Sequence, residues 1–158
     1  RWPAERFAEV GRRLAESGLG LIVLGGASDQ ALCAEVAGAA GSQAVNLAGR
    51  ASLLETCEAL KRCRILICND SGLQHLAAAV GTPCVSLFSF WQMRGKWHPY
   101  GPQHTVLQKW VDCHTCLLDA CPYDNLCIKK IETDEVIAAA ERVLNAIPTE
   151  QRSLAAGR

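Results

Sequence analysis

Between Ile65 and Phe88 the chain reads ILICNDSGLQHLAAAVGTPCVSLF, and no other stretch constrains the fold as much. An apolar run, Ile65 to Cys68, ends in the polar cluster Asn69, Asp70, Ser71 and Gly72. An Ala-rich helical run follows, and then a second apolar run from Cys84 to Phe88. Short apolar runs bounded by turn residues read as buried strands of a parallel sheet. The stretch is therefore a strand, tight turn, helix, strand unit, and the chain is of the α/β class.

Chemistry is expected at the turn. Asp70 or Ser71 can cap the helix that begins near Gly72. N–H groups left over in that first turn, with the positive end of the helix dipole, make a site for an anion such as a phosphate. Gly72 lets a ligand approach the backbone. Ser71 and His75 are four apart and share a helix face, at the carboxyl edge of the sheet, where open α/β sheets bind ligands. The same residues also fit a plain N-cap and a surface histidine.

The flanking segments extend the pattern. Pro3 to Ser17 reads as an amphipathic helix through Phe7, Val10 and Leu14, with Pro3 at a first helical position and Gly18 at its end. Leu21 to Leu24 reads as a buried strand running into Gly25-Gly26, and a helix from about Ser28 to Ala40 puts Asp29 in its first turn. Ala44 to Leu47 is a short strand. Ser52 and Glu55 form a capping box for a helix through Cys63. Ser89 to Pro102 loses all periodicity, Thr105 to Leu107 is a last strand, and Thr133 caps a final helix to Ala146.

A chain of 158 residues suits one core, placed at residues 1–147, with 148–158 a disordered polar tail. The formal net charge of zero offers no global field for nucleic acid or anionic lipid. No apolar run reaches the roughly 18 residues that span a bilayer.

The motifs around the turn resemble glycosyltransferase family 9, the ADP-heptose:lipopolysaccharide heptosyltransferases. Asp70-Ser71-Gly72-Leu73-Gln74-His75-Leu76-Ala77-Ala78-Ala79, with Gly81, Pro83 and Leu87-Phe88, is similar to the family's D-[ST]-G-x-x-H-x-A-A-A segment. Arg1-Trp2-Pro3 resembles the end of its K-x-W-P motif, Leu47 to Leu53 its L-x-G-x-x-S-L, and Pro99-Tyr100-Gly101 its P-x-G. The family's G-P-T-x-P is replaced by Ser89-Phe90-Trp91-Gln92-Met93, so sugar specificity transfers least.

The resemblance implies a Rossmann-like parallel sheet flanked by helices, the second half of a GT-B glycosyltransferase. The family's lysine falls just before Arg1, and its first domain, with the acceptor site and catalytic base, is expected to be missing, so no catalytic residue is placed in this chain. The implied function is to bind the donor, an ADP-sugar such as ADP-heptose, for an inverting transfer to a lipid-linked glycan in lipopolysaccharide core or related synthesis. Backbone N–H groups of Ser71 and Gly72, with His75, would hold the diphosphate. Asp70 would accept hydrogen bonds from sugar hydroxyls. Asp29 stands where the family has an acidic residue, usually Glu, on the ribose; it also fits a charge complementing the helix dipole. No cofactor is required for the chemistry. The implied setting is cytoplasmic, at the inner-membrane face as a peripheral protein, with no nucleic-acid partner.

Nine cysteines remain to be explained. Cys33, Cys57, Cys63, Cys68 and Cys84 fall in helices or strands and read as small buried hydrophobes. Cys113, Cys116, Cys121 and Cys127 follow a C-x2-C-x4-C-x5-C spacing. Four thiolates suit a structural zinc or an iron–sulfur cluster, while disulfides and free thiols fit the same spacing. Two rival functions follow: a metal-binding or redox-responsive module with a degenerate nucleotide site, and another GT-B nucleotide-sugar enzyme such as an epimerase. His75 and its Ala run argue against the epimerase.

Overall fold

The computed structural model describes residues 1–147, so the expected tail at 148–158 lies outside the described residues. The chain divides into two compact units, Trp2–Glu58 and Ala59 onward with Arg1.

In the first unit, α1 (Ala4–Glu16) buries Ala8, Val10 and Leu14 and packs on α2 (Gln30–Ala40). Their close approach needs Gly11, where a Cβ would stand 3.1 Å from that of Ala40. β1 (Ile22–Val23) pairs in parallel with β2 (Val45–Asn46) in the register Ile22 to Val45. The ladder continues outward through Gly49 N–H donating to Gly25 C=O at 2.9 Å. The run Leu21 to Leu24 is shorter and less buried than its composition predicts, with Ile22 40% exposed. Among the described residues β1 pairs with β2 alone and α2 packs against the strands, so its apolar run is only partly covered. Gly49 sits at φ +64°, and a Cβ there would lie 2.9 Å from Ala27 Cα, so this glycine of the Leu47–Leu53 motif is sterically required.

α3 (Leu53–Arg62) starts at the predicted capping box. Ser52 N–H donates to Glu55 Oε2 at 2.8 Å, and Glu55 N–H donates to Ser52 Oγ at 3.3 Å.

The second unit is built on a three-stranded parallel sheet in the order β3-β4-β5: Leu66–Asn69, Cys84–Phe88 and Thr105–Gln108. β4 is central and all five of its residues are buried, Ser86 being the one polar residue in an otherwise apolar run. α4 (Gly72–Ala79) packs on β3 and β4. A four-residue helix, α5 (Leu126–Lys129), was not legible in the pattern. α6 (Thr133–Ala146) packs on β4 and β5 through Val136, Ile137, Ala140, Val143 and Leu144, a repeat of ones, threes and fours. Its cap is Glu132, not Thr133: Glu132 N–H donates to Glu135 Oε2 at 3.0 Å in a reciprocal box. Thr133 thereby becomes the first helical residue.

Candidate functional site

β3 pairs with β4 up to Asn69 opposite Leu87, and Asp70 N–H donates to Leu87 C=O at 3.1 Å. That bond fixes Asp70 at the carboxyl edge, where the chain leaves the sheet. Ser71 holds the extended N-cap geometry, and α4 begins at Gly72. No side chain caps this helix, contrary to the expectation for Asp70 or Ser71. The carboxylate of Asp70 is turned aside: Gln74 Nε2 donates to its Oδ1 at 2.9 Å. The first-turn N–H groups are thus open to an anion, with the helix dipole behind them. A Cβ on Gly72 would meet nothing within 4 Å, so the space over the turn is clear. His75 is exposed one turn from Ser71, in keeping with their four-residue spacing.

Gln74 is fully buried and joins two segments. Its Nε2 also donates to the Trp97 C=O at 3.2 Å, while its Oε1 is buried without a hydrogen-bond partner. The loop after β4 is thereby tied to the turn. In that loop His98 stacks edge-on against Phe88 with ring centroids 5.0 Å apart, and its Nε2 accepts from Gly95 N–H at 3.2 Å. Burial and nearby Arg94 hold His98 below the usual histidine range. Partial burial pushes the Asp70 carboxyl up, against the opposing pull of Gln74, His75 and His98.

The sign of that shift makes a stability prediction. A carboxyl raised by folding favours the fold when protonated and costs stability once pH rises through its folded pKa. Asp70→Asn is therefore expected to be more stable than the parent at pH 7 in urea unfolding. The difference should shrink as pH falls below the carboxylate range; a variant less stable at pH 7 would contradict the assigned desolvation.

A cleft of about 400 Å³ opens at this edge. One side is Asn69, Asp70, Leu87, Ser89 and Trp91, from the ends of β3 and β4. The other is Cys116, Leu118, Asp119, Cys121, Asn125, Cys127 and Ile128, and Arg1 also lines it. The cysteine segment is pinned alongside the loop after β4 by Thr115 N–H donating to Phe90 C=O at 2.6 Å and Leu117 N–H to Trp91 C=O at 3.2 Å. Tight packing of Phe90, Trp110 and His114 adds to this, with the Trp110 and His114 rings 4.0 Å apart.

The structure therefore groups Asp70, Ser71, Gly72 and His75 on one turn, and sets Cys116, Cys121 and Cys127 about the cleft that Asp70 lines. Cys113 does not line it. Among the described residues no disulfide joins any of the nine cysteines, and no three His, Cys, Asp or Glu side chains come together as a metal-ion group. In this arrangement the four sulfurs do not make the four-thiolate centre that their spacing suggests. Asp29 belongs to the other unit, at the junction of a 3-10 turn (Ala27–Asp29) and α2, on the positive end of that helix.

Reasoning from residue patterns missed Gln74, His98, Ser89, Asp119 and Asn125. Ser89 follows β4 directly, and Gln74 lies one helical turn from Asp70, so both carried a positional signal. The other three sit on aperiodic loops and carried none.

A family model described as glycosyltransferase family 9 (heptosyltransferase) matches residues 1–127. Lipooligosaccharide heptosyltransferase 2 of Haemophilus influenzae is 32% identical over 109 residues, 66% of this chain and 29% of that protein. Its counterpart from Campylobacter jejuni is 27% identical over 150 residues, 91% of this chain and 46% of that one. Among solved structures, the family 9 glycosyltransferase of Veillonella parvula superposes with a TM-score of 0.78 at 28% identity, over 93% of this chain and 42% of that one. The E. coli ADP-heptose lipopolysaccharide heptosyltransferase II gives 0.75 at 25% identity, over 92% and 42%. The chain thus spans less than half the length of each of these proteins.

Proposed function

The chain belongs to glycosyltransferase family 9, and from that membership we propose that it forms the donor-binding half of a GT-B glycosyltransferase that uses an ADP-sugar. The observation that carries the reading is the uncapped N-terminus of α4 at the sheet's carboxyl edge, preceded by Asp70, which also lines a cleft at that edge. Open amides and a helix dipole suit a diphosphate, and a carboxylate suits sugar hydroxyls. ADP-heptose as donor and lipopolysaccharide as acceptor are carried over from the E. coli relative's name.

In the proposed reaction the acceptor hydroxyl loses its proton to a carboxylate supplied outside these 158 residues. Its oxygen attacks the anomeric carbon from the face opposite the diphosphate. The bond from that carbon to the diphosphate oxygen breaks, so configuration inverts. Charge gathers on the departing diphosphate, where fixed donors contribute most. The N–H groups of Ser71 and Gly72, with the His75 imidazole, meet that charge, so the reading calls on no metal for this step. Asp70 orients the sugar. A lipid-linked acceptor implies work at a membrane face; no helix among the described residues is long and apolar enough to cross one.

No observation favours a degenerate nucleotide site or an epimerase. The family match covers the turn and the cysteine segment together, and no metal group is formed among the described residues. Calorimetric titration with ADP and with UDP tests the proposal. Saturable ADP binding with much weaker UDP binding is the expected result. Equal affinity for the two would remove the adenine assignment, and no binding of either would overturn the donor-half reading for this chain.

A further inference from the structure

We propose that the thiol wall of the cleft, Cys116, Cys121 and Cys127, is a modification site for small disulfides of the glutathione class, and that its oxidation closes the cleft. The proposal locates a chemistry within the site just described, and its effect on nucleotide rests on the donor-half reading.

The nine thiols are not equivalent. Cys33, Cys68 and Cys84 are buried. Burial pushes Cys68 up to about 12 and Cys84 up to about 11, so neither offers a thiolate at neutral pH. Cys63 is also pushed up by burial, and its Sγ lies 3.3 Å from the Ala59 C=O. Cys57 is half-buried on α3 and Cys113 lies outside the cleft lining. Cys116, Cys121 and Cys127 alone are half-buried, unpaired and share one open cleft. A disulfide reagent that enters there meets three thiols rather than one.

Their backbone is unusual as well. Among the described residues every non-glycine with positive φ falls in this segment: Thr115 at 54°, Leu117 at 52°, Asp124 at 50° and Asn125 at 55°. Left-handed backbone is costly for a β-branched residue such as Thr115, and such strain gathers at functional segments. Rearrangement of a loop so held can relax the backbone while bringing two sulfurs to bonding distance.

The chemistry balances without further reagents. A cleft thiolate attacks one sulfur of glutathione disulfide, the reagent's S–S bond breaks, and glutathione thiolate leaves and takes up the proton that the cysteine gave to solvent. A second cleft thiolate attacks the protein sulfur of that mixed disulfide and releases a second glutathione. Two protein thiols are oxidised and one glutathione disulfide is reduced to two glutathiones. Either product fills or narrows the space between Asp70 and the cysteine segment.

The test is to incubate the reduced 158-residue chain with glutathione disulfide and map the modified sites by peptide fragmentation mass spectrometry. Adducts or an internal disulfide are expected at Cys116, Cys121 and Cys127 ahead of every other cysteine, reversed by dithiothreitol. Each single serine variant should shift the pattern within the remaining pair. Modification no faster at these three than at Cys57 or Cys113, or none at all, overturns the site. On the same samples oxidation is expected to lower ADP affinity by about ten-fold or more, since an occupied cleft must be vacated before ligand enters. Unchanged ADP affinity in the oxidised protein would overturn closure. If the reduced chain binds no ADP, the donor-half reading fails with its closure consequence, and the mapping still decides the modification site.

Discussion

His75→Ala is expected to weaken ADP binding about ten- to hundred-fold, the worth of one charge-assisted hydrogen bond, and to change adenosine binding by less than about two-fold. The imidazole is exposed on the first turn of α4, one turn from Ser71, on the helix end whose amides have no side-chain cap. Its only assigned partner is the diphosphate, so adenosine, which lacks that group, should not register its loss. Stability should move by less than about 0.5 kcal/mol, because His75 is exposed and its charge interaction with Asp70 is screened by solvent. Parallel titrations of the variant with ADP and with adenosine, beside a urea unfolding curve, check all three statements. Equal losses for both ligands would remove His75 from the phosphate and return it to the surface. A loss confined to ADP with unchanged unfolding is the pattern that only direct contact explains.

The organising unit was legible because several signals agreed there. Apolar runs set β3 and β4, the cluster Asn69 to Gly72 set the turn, and an Ala-rich stretch set α4. Disagreement began where one residue had two equivalent neighbours. Thr133 is the better cap by type, yet Glu132 takes the position because its side chain and that of Glu135 can close a reciprocal box. Asp70 is a good cap by type too, but Gln74 claims its carboxylate from the next turn. Such competition between two local hydrogen bonds is settled by geometry, which spacing does not carry. The cleft was less legible still. The cysteine segment lies more than forty residues beyond Asp70 in sequence, and it reaches the same edge only because its backbone bonds to the Phe90 and Trp91 carbonyls. Four left-handed residues and a one-turn α5 leave no period to read, so the spacing alone shows a separate cysteine loop and not one wall of the cleft that Asp70 lines.

Gln74 is where the site and the core meet, and two substitutions there should part company. In Gln74→Ala the side chain is lost from a fully buried position, and its hydrogen bonds to Asp70 and the Trp97 carbonyl go with it. Cavity and lost bonds together should cost about 2–4 kcal/mol of stability. Gln74→Met fills nearly the same volume and also removes the buried Oε1 that has no partner, so its stability should change by less than about 1.5 kcal/mol. Ligand binding should nevertheless suffer in the methionine variant, because Asp70 and the loop carrying Trp97 lose their shared anchor. The pH dependence separates this from a packing defect. The Gln74 N–H favours the charged carboxylate, so its removal must push the Asp70 carboxyl further up. Donor-sugar binding that needs the carboxylate fades as pH falls through that pKa, and in Gln74→Met it should fade at a higher pH than in the parent. Urea unfolding of both variants, with ADP-sugar titrations from pH 4 to pH 8, measures each part. A methionine variant that binds as the parent does at every pH would reduce Gln74 to a core filler, whatever the alanine variant costs in stability.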